Sequence, residues 1–380
     1  MNPRHPLRTA VVLVALALLP RCACDSVPDD AIESCEASQV VPGAVATDIL
    51  FVIDDSGSMS QEQTTLQNGL AAFITTLRSS PVANDFQIGV TTTGVASFDG
   101  TPTPPAGELV PPGIMRSSDA TLVTDFQTAV IVGTGGSGRE QPFEAMRLAL
   151  VKSAEPGSAN EGFLRPGARL AIIMLSDEDD CSGPTDAAIA TSLDCRAAKA
   201  AASSSLWPIA DVAAFLNSPI QGEQRNVVVA AVVGVAPGTL ELSCGQTYCP
   251  NQSCSTAMDD GARYVQLLAA LGAGHTRLAS ICDANFDQAL AGFADAIMSK
   301  TLPLDGAPAD WRMLVASIER PGVGTIPCTI APFDAPAGER DAADAIYDPP
   351  LSGRPASLTF QGNCALEQGD RVDVRVVCAG

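Results

Sequence analysis

The sequence predicts an α/β fold: a doubly wound, mostly parallel sheet with helices on both faces, followed by a small β-rich appendage. Three observations predict it. The runs "DILFVI", "RLAIIML" and "NVVVAAVVGV" are continuously apolar, as strands buried on both faces are. Segments with apolar residues at helical spacing separate them, and strands alternating with helices build parallel sheets. Beyond residue 310 the helical period disappears, and "DRVDVRVVC" alternates Val with charge.

The elements follow in order. Residues 1–24 join a basic start, "MNPRHPLR", to the apolar "TAVVLVALALLP". That apolar run is shorter than the roughly 20 residues a membrane-spanning helix needs, so it predicts a removable export signal. The "RCACDS" that follows resembles a bacterial lipoprotein signal, whose Cys is acylated. Cys24, preceded by the small Ala23, is the candidate, and Cys22, preceded by Pro20 and Arg21, is the alternative. Residues 25–44 are polar, contain Pro28 and Pro42, and read as a tether.

The α/β domain is expected over 45–302. Its first strand, "DILFVI", leads to a helix carrying Leu66, Leu70, Phe73 and Leu77, and then to the strand "FQIGVTTTG". A Pro-rich surface insertion over 95–115 precedes a helix over Glu140–Lys152 and the strand "RLAIIML". The Ala-rich stretch 186–205 reads as a helix or a disulfide-held loop. "PIADVAAFL" (helix), "NVVVAAVVGV" (strand), "GARYVQLLAALG" (helix) and "TRLASIC" (strand) follow. Phe286, Leu290, Phe293 and Ile297 mark the last helix. The appendage, 310–380, contains the strands "ASLTFQG" and "DRVDVRVVC".

Composition narrows the function. Hydrophobic residues make up 46% and charged ones 17%, which excludes a disordered chain. A formal charge of −21 opposes binding to nucleic acid or anionic lipid, leaving a lipid anchor as the one expected tie to a membrane. The expected location is the cell envelope or the extracellular space. Twelve Cys suit an oxidising compartment; ten lie beyond Cys24, so acylation there leaves an even set. Spacing suggests Cys181 with Cys195, and Cys328 with Cys364 or Cys378. Cys244, Cys249 and Cys254 lack zinc-finger spacing and a nearby His, which argues against zinc.

Two strand ends carry the chemistry. "VIDDSGSM" and "IMLSDEDDCS" each run from a buried strand into acids and hydroxyls. Ligands of open parallel sheets bind beyond the carboxyl ends of the strands. Asp54, Ser56, Ser58 and Asp177 should therefore converge on one rim. Carboxylates and hydroxyls are hard donors suited to Mg²⁺, Mn²⁺ or Ca²⁺. In the DxSxS spacing a turn can aim alternate side chains at one point, with Gly57 relaxing the backbone. Of the acids after Asp177, Glu178 is expected to face solvent, while Asp179 and Asp180 would cap a helix or bind calcium.

Asp54-Asp55-Ser56-Gly57-Ser58 resembles the metal-ion-dependent adhesion site (MIDAS) of the von Willebrand factor type A (VWA) domain, and "LSDEDD" resembles that family's later strand ending in Asp. The resemblance covers residues 45–300. It implies a Rossmann-like, doubly wound VWA fold in which Asp54, Ser56, Ser58 and Asp177 hold a divalent cation, Mg²⁺ first, with Mn²⁺ or Ca²⁺ as alternatives. It further implies cell adhesion, with a protein or other macromolecular partner supplying a carboxylate to the cation.

One departure stands out. The family usually supplies a Thr from a loop before a helix, and here that loop is "GTGGSGREQPFEAM". Counting back from Ala145 places Glu140 near the Thr position, with Ser137 and Thr134 as the other candidates. A third carboxylate would neutralise the cation further and weaken capture of a partner.

Catalysis is not expected. Beyond the signal there is one His, His275, and no GxSxG elbow to pair with it. Asp54 lacks the second carboxylate two residues later that aspartyl phosphotransfer enzymes carry, and there is no GxxxxGK[ST] phosphate loop. The rival to adhesion is a structural envelope protein whose metal site is vestigial or non-adhesive.

Overall fold

A computed structural model describes residues 34–40, 44–78, 83–183, 195, 198–199, 205–237, 255–272, 275–298, 301–304, 308, 310–350, 356–367 and 370–377. The export segment with Cys22 and Cys24, the Cys244–Cys254 cluster, Cys378 and most of 186–205 lie outside the described residues. No helix among the described residues is long and apolar enough to cross a membrane.

The chain opens with β1 (Ser34–Val40) and then enters the α/β unit through β2 (Ala44–Ile53), α1 (Ser60–Arg78), β3 (Ala83–Thr92), β4 (Met115–Arg116) and α2 (Leu122–Ala129). It continues through α3 (Pro142–Lys152), β5 (Arg169–Leu175), α4 (Ile209–Asn217), β6 (Val227–Val233), α5 (Ala262–Leu271), β7 (Thr276–Ser280) and α6 (Asp287–Met298). The strands form one six-stranded sheet in the order β4-β3-β2-β5-β6-β7. Every pairing in it is parallel except β3 with the edge strand β4.

Side chains alternate across a strand, and β2 divides its apolar run between two cores accordingly. Ile49, Phe51 and Ile53 pack with Leu66, Leu70 and Phe73 of α1 and with Phe293 and Ile297 of α6. Phe51 meets Phe73 and Phe126 edge-on, with ring centroids 5.8 and 4.9 Å away. Leu50 and Val52 face the other way, toward Phe143 and Met146 of α3, Leu216 of α4 and Leu267 of α5. Helices thus cover both faces, as the sequence predicts.

Strand order reverses at the centre of this sheet. From β2 the chain moves outward to β3 and β4, then returns to β5 on the other side of β2 and continues to β6 and β7. The pairing of Ile53 with Leu175 brings the ends of β2 and β5 level, and Asp54 N donates to Leu175 O at 2.9 Å. This reversal is the topological switch point at which open α/β sheets bind ligands.

The rest of the described chain is β-rich: β8 (Thr301–Pro303), β9 (Leu314–Arg320), β10 (Gly324–Cys328), β11 (Ile330–Pro332), α7 (Ala337–Ala342), β12 (Ala345–Asp348), β13 (Ser357–Phe360) and β14 (Arg371–Val377). Two four-stranded sheets, β1-β14-β9-β10 and β11-β12-β13-β8, share a core that includes Leu302, Ile318, Leu358, Phe360 and Val372. The two disulfides with both partners described are Cys181–Cys195 and Cys328–Cys364. Spacing suggests the first outright, and the second is one of its two choices for Cys328.

Three details differ from the sequence reading. Ser34–Val40, within the stretch read as a tether, is a strand paired antiparallel with β14, a partner too distant in sequence for local polarity to reveal. The β-rich unit also begins earlier than expected, because Thr301–Pro303 pairs with β13. The Pro-rich 95–115 insertion is partly core: Leu109 is buried, and a Cβ on Gly89 would meet its side chain at 2.7 Å. The glycine leaves room for the insertion to lie against β3.

Candidate metal centre

Asp54 and Asp55 follow β2, and Ser176 and Asp177 follow β5, so four polar residues meet at the switch point. Asp54 is fully buried and held at both oxygens. Oδ1 accepts Ser56 N at 2.7 Å, and Oδ2 accepts Ser176 Oγ at 2.5 Å. The first bond folds the chain back after the strand and brings Ser56 Oγ within 3.2 Å of Ser58 Oγ. Gly57 has an ordinary φ and open space where a Cβ would lie, so the turn does not require glycine. Ser58 is exposed at the mouth and Ser56 is buried.

Asp177 is buried, and neither of its oxygens accepts a hydrogen bond of normal geometry from the described residues. Burial, then the Asp54 charge, pushes its carboxyl up to about 7, with the nearby Ser58 hydroxyl offsetting part of the rise. Glu178 is half-buried instead of facing solvent; burial, then Asp54 and Asp177, raises it to about 8.

The loop before α3 supplies the third wall. Of the three candidates there, Thr134 is exposed, and Ser137 turns its hydroxyl to accept Arg139 N at 3.1 Å. Glu140 is 1% exposed, and its Oε2 accepts a short hydrogen bond from Thr93 Oγ1. Burial and the neighbouring Asp54 charge hold it well above the ordinary carboxylate range. The loop is anchored on Asp55, whose carbonyl accepts Gly136 N at 2.8 Å. A Cβ on Gly136 would collide with the Asp55 carboxyl, so only glycine permits this approach.

Sequence reasoning missed several residues. Ser176 orients Asp54, and Thr93 orients Glu140. Gln63 ties the Asp54 and Gly133 carbonyls together, donating at 2.9 and 2.7 Å. Asp55 is raised to about 6 by burial and by Asp54, and Glu62 is also raised, first by burial and then by Asp54. The available signal was position: Ser176 precedes Asp177, Thr93 follows β3, and Glu62 lies in the first turn of α1.

Five carboxylate oxygens on this rim are buried without a hydrogen-bond partner among the described residues: Asp55 Oδ1, Glu62 Oε2, Glu140 Oε1 and both oxygens of Asp177. No three His, Cys, Asp or Glu side chains among the described residues form a ready-made metal cluster. The donor set is mixed, two carboxylates with two hydroxyls, and the orphaned oxygens fit a hard divalent cation.

Asp179 and Asp180 are occupied differently. Asp179 Oδ1 accepts Arg263 N at 3.0 Å in the first turn of α5. Asp180 Oδ1 accepts Phe143 N of α3 at 3.3 Å, and its Oδ2 accepts Arg263 Nε at 2.9 Å. Lys199 Nζ lies 3.7 Å from Asp179 and 3.4 Å from Asp259. Of the two roles the sequence allowed, these acids take the helix-capping one. His275 precedes β7 at the opposite end of the sheet, 3.4 Å from Ser357 Oγ, and cannot serve Asp54 or Ser56 as a base.

No protein-family profile matches this chain, and no curated protein does. Solved structures similar to it include proximal thread matrix protein 1 from the mussel byssus: 13% identity, TM-score 0.37, covering 69% of this chain and 50% of that one. The pilus adhesin SpaC from Lactobacillus rhamnosus GG, in its open conformation, gives 11% identity and TM-score 0.37, with 90% of this chain and 40% of that one covered. The SpRpn10 VWA domain gives 13% identity and TM-score 0.35, with 67% and 95% covered. This chain spans about half the length of the first and less than half of the second. These likenesses are too distant to carry the fold, which rests on this chain's own strand order. Parallel strands reversing between β2 and β5, helices on both faces and an oxygen-rich rim at the reversal give the α/β unit a VWA-like architecture.

Proposed function

We propose that this is an exported, non-catalytic protein of the cell envelope that binds a macromolecular partner through a divalent-cation site at the β2/β5 switch point. The observation that carries the reading is the set of five buried, unpartnered carboxylate oxygens on one rim. An ionised carboxylate without a donor is strongly disfavoured in a protein interior, and a hard cation relieves several at once. Asp54, Ser56, Ser58 and Asp177 would hold the ion, Mg²⁺ first, with Mn²⁺ or Ca²⁺ as alternatives.

A bound ion supplies a positive centre able to accept an oxygen ligand from a partner, such as a carboxylate. The chain's own residues do the rest. Ser176 and the Ser56 amide fix Asp54, while the exposed Ser58 marks the side from which a partner approaches. Disulfides and the apolar N-terminal run support export, with Cys24 as the proposed anchor.

The test is calorimetric titration of the full chain with Mg²⁺, Mn²⁺ and Ca²⁺, beside Asp54→Ala. We expect saturable binding at one site, lost in the variant. No binding of any of the three to the unaltered protein would overturn the reading. The structural-envelope alternative draws on Glu140, which brings a third carboxylate to the rim.

A further inference from the structure

Glu140 is fixed from three directions. Its carbonyl accepts Cys181 N at 2.7 Å, beside the Cys181–Cys195 disulfide. The next residue, Gln141, donates its amide to Thr93 O at 3.1 Å. The Thr93 hydroxyl then holds Oε2. Oε1 is left without a hydrogen-bond partner among the described residues, on a side chain only 1% exposed. The acids acting on it are Asp54, Glu178 and Asp55. A flexible surface acid would turn to water, but this one is held inside, with a free oxygen on the acidic rim.

We propose that Glu140 is a built-in ligand of the cation site, filling from within the chain the place that a partner carboxylate would otherwise take. The inference rests on the cation reading above and deepens it. Glu140 lies beside Asp54 and would add its own carboxylate to the ion's shell, so the ion is retained without a partner. A partner carboxylate gains access only by displacing Glu140. Thr93 is a positioning residue: it orients Glu140 and leaves Oε1 free to coordinate.

The experiment measures Mn²⁺ affinity for the full chain, Glu140→Gln, Glu140→Ala and Asp54→Ala, with and without acetate, alongside the Tm of each in chelator. Loss of even an outer-shell partner of a bound metal costs ten- to a hundredfold in affinity, so Glu140→Gln should weaken Mn²⁺ binding at least about tenfold. Acetate should restore part of that affinity to Glu140→Ala and leave the unaltered protein unchanged. In chelator the Tm of Glu140→Gln should equal or exceed that of the unaltered protein, because an acid buried beside Asp54 is replaced by a neutral amide that can still accept from Thr93. A purely structural Glu140 would instead lower the Tm in chelator and show no acetate rescue, and either result overturns the inference. If the unaltered protein binds Mn²⁺ and Glu140→Gln binds within twofold of it, the inference fails alone. If the unaltered protein binds no Mn²⁺, Mg²⁺ or Ca²⁺, the cation reading fails with it.

Discussion

Two groups of buried acids lie a few residues apart after β5, and the molecule treats them in opposite ways. Asp177 lies near Asp54 and Glu62, with no cationic side chain among the described residues bonded to its oxygens. Asp179 and Asp180 turn toward α3 and α5, where helix N-terminal amides, Arg263 and Lys199 meet them. Both groups are buried, so burial does not separate them. The difference lies in what faces them: on one side the chain supplies its own cations and helix dipoles, and on the other more acid and the Ser58 hydroxyl. The acids with internal partners brace the two helices, and the proposed cation site lies where no such partner stands.

The contrast can be broken most severely at Arg263. Arg263→Met leaves Asp180 buried without its guanidinium and should cost about 3–5 kcal/mol, equally with and without divalent cation. Urea denaturation in chelator and in Mg²⁺ measures it. A cost that shrinks in Mg²⁺ would mean the two acid groups share one ion.

The pH dependence of the cation-free protein should give the next largest effect. Asp55, Asp177 and Glu178 are raised to about 6, 7 and 8. The charges facing them are Asp54, Glu62 and Asp259, with Lys199 opposing at Glu178. Between the ordinary carboxylate range and about pH 8 the folded chain therefore holds more protons than the unfolded chain, so stability falls as pH rises. A tenfold change in a carboxyl's proton affinity on folding is worth about 1.4 kcal/mol. Solvent screening at the rim brings the loss from pH 5 to pH 8 to about 1–3 kcal/mol in chelator. Mg²⁺ should flatten that slope. Urea midpoints at three pH values check the sign, and a stability that rises toward pH 8 in chelator would contradict the rim chemistry.

The smallest effect sharpens the partnered side. Ser182 Oγ donates to Asp180 at 2.6 Å and accepts Glu144 N at 3.0 Å in the first turn of α3. Ser182→Ala should cost about 1 kcal/mol and leave cation affinity unchanged. A change in cation affinity would show that the two acid groups are coupled through α3.

The sequence made the α/β unit legible because its signals are local. Apolar runs marked β2, β5 and β6, and helical spacing marked α1 and α6. The rim residues Asp54, Ser56, Ser58 and Asp177 were legible because they stand at or just beyond strand ends. Glu140 was reachable by counting back from α3; of the three candidates there it is buried, Ser137 half-buried and Thr134 exposed. Thr93, Ser176 and Gln63 escaped because nothing in their neighbourhoods distinguishes them from ordinary polar residues; their roles arise only when β2, β3 and β5 stand side by side.

The sequence by itself determined that strands would end in hard oxygen donors, since period and composition act within a few residues. Only the tertiary structure decided which acids are left without partners. Asp177 and Asp179 are two residues apart in one run of acids, yet opposite surroundings close over them. Strand order turns one toward Asp54, and helix packing turns the other toward the first turn of α5. Electrostatic environment is a property of neighbours in space, and these neighbours come from distant parts of the chain.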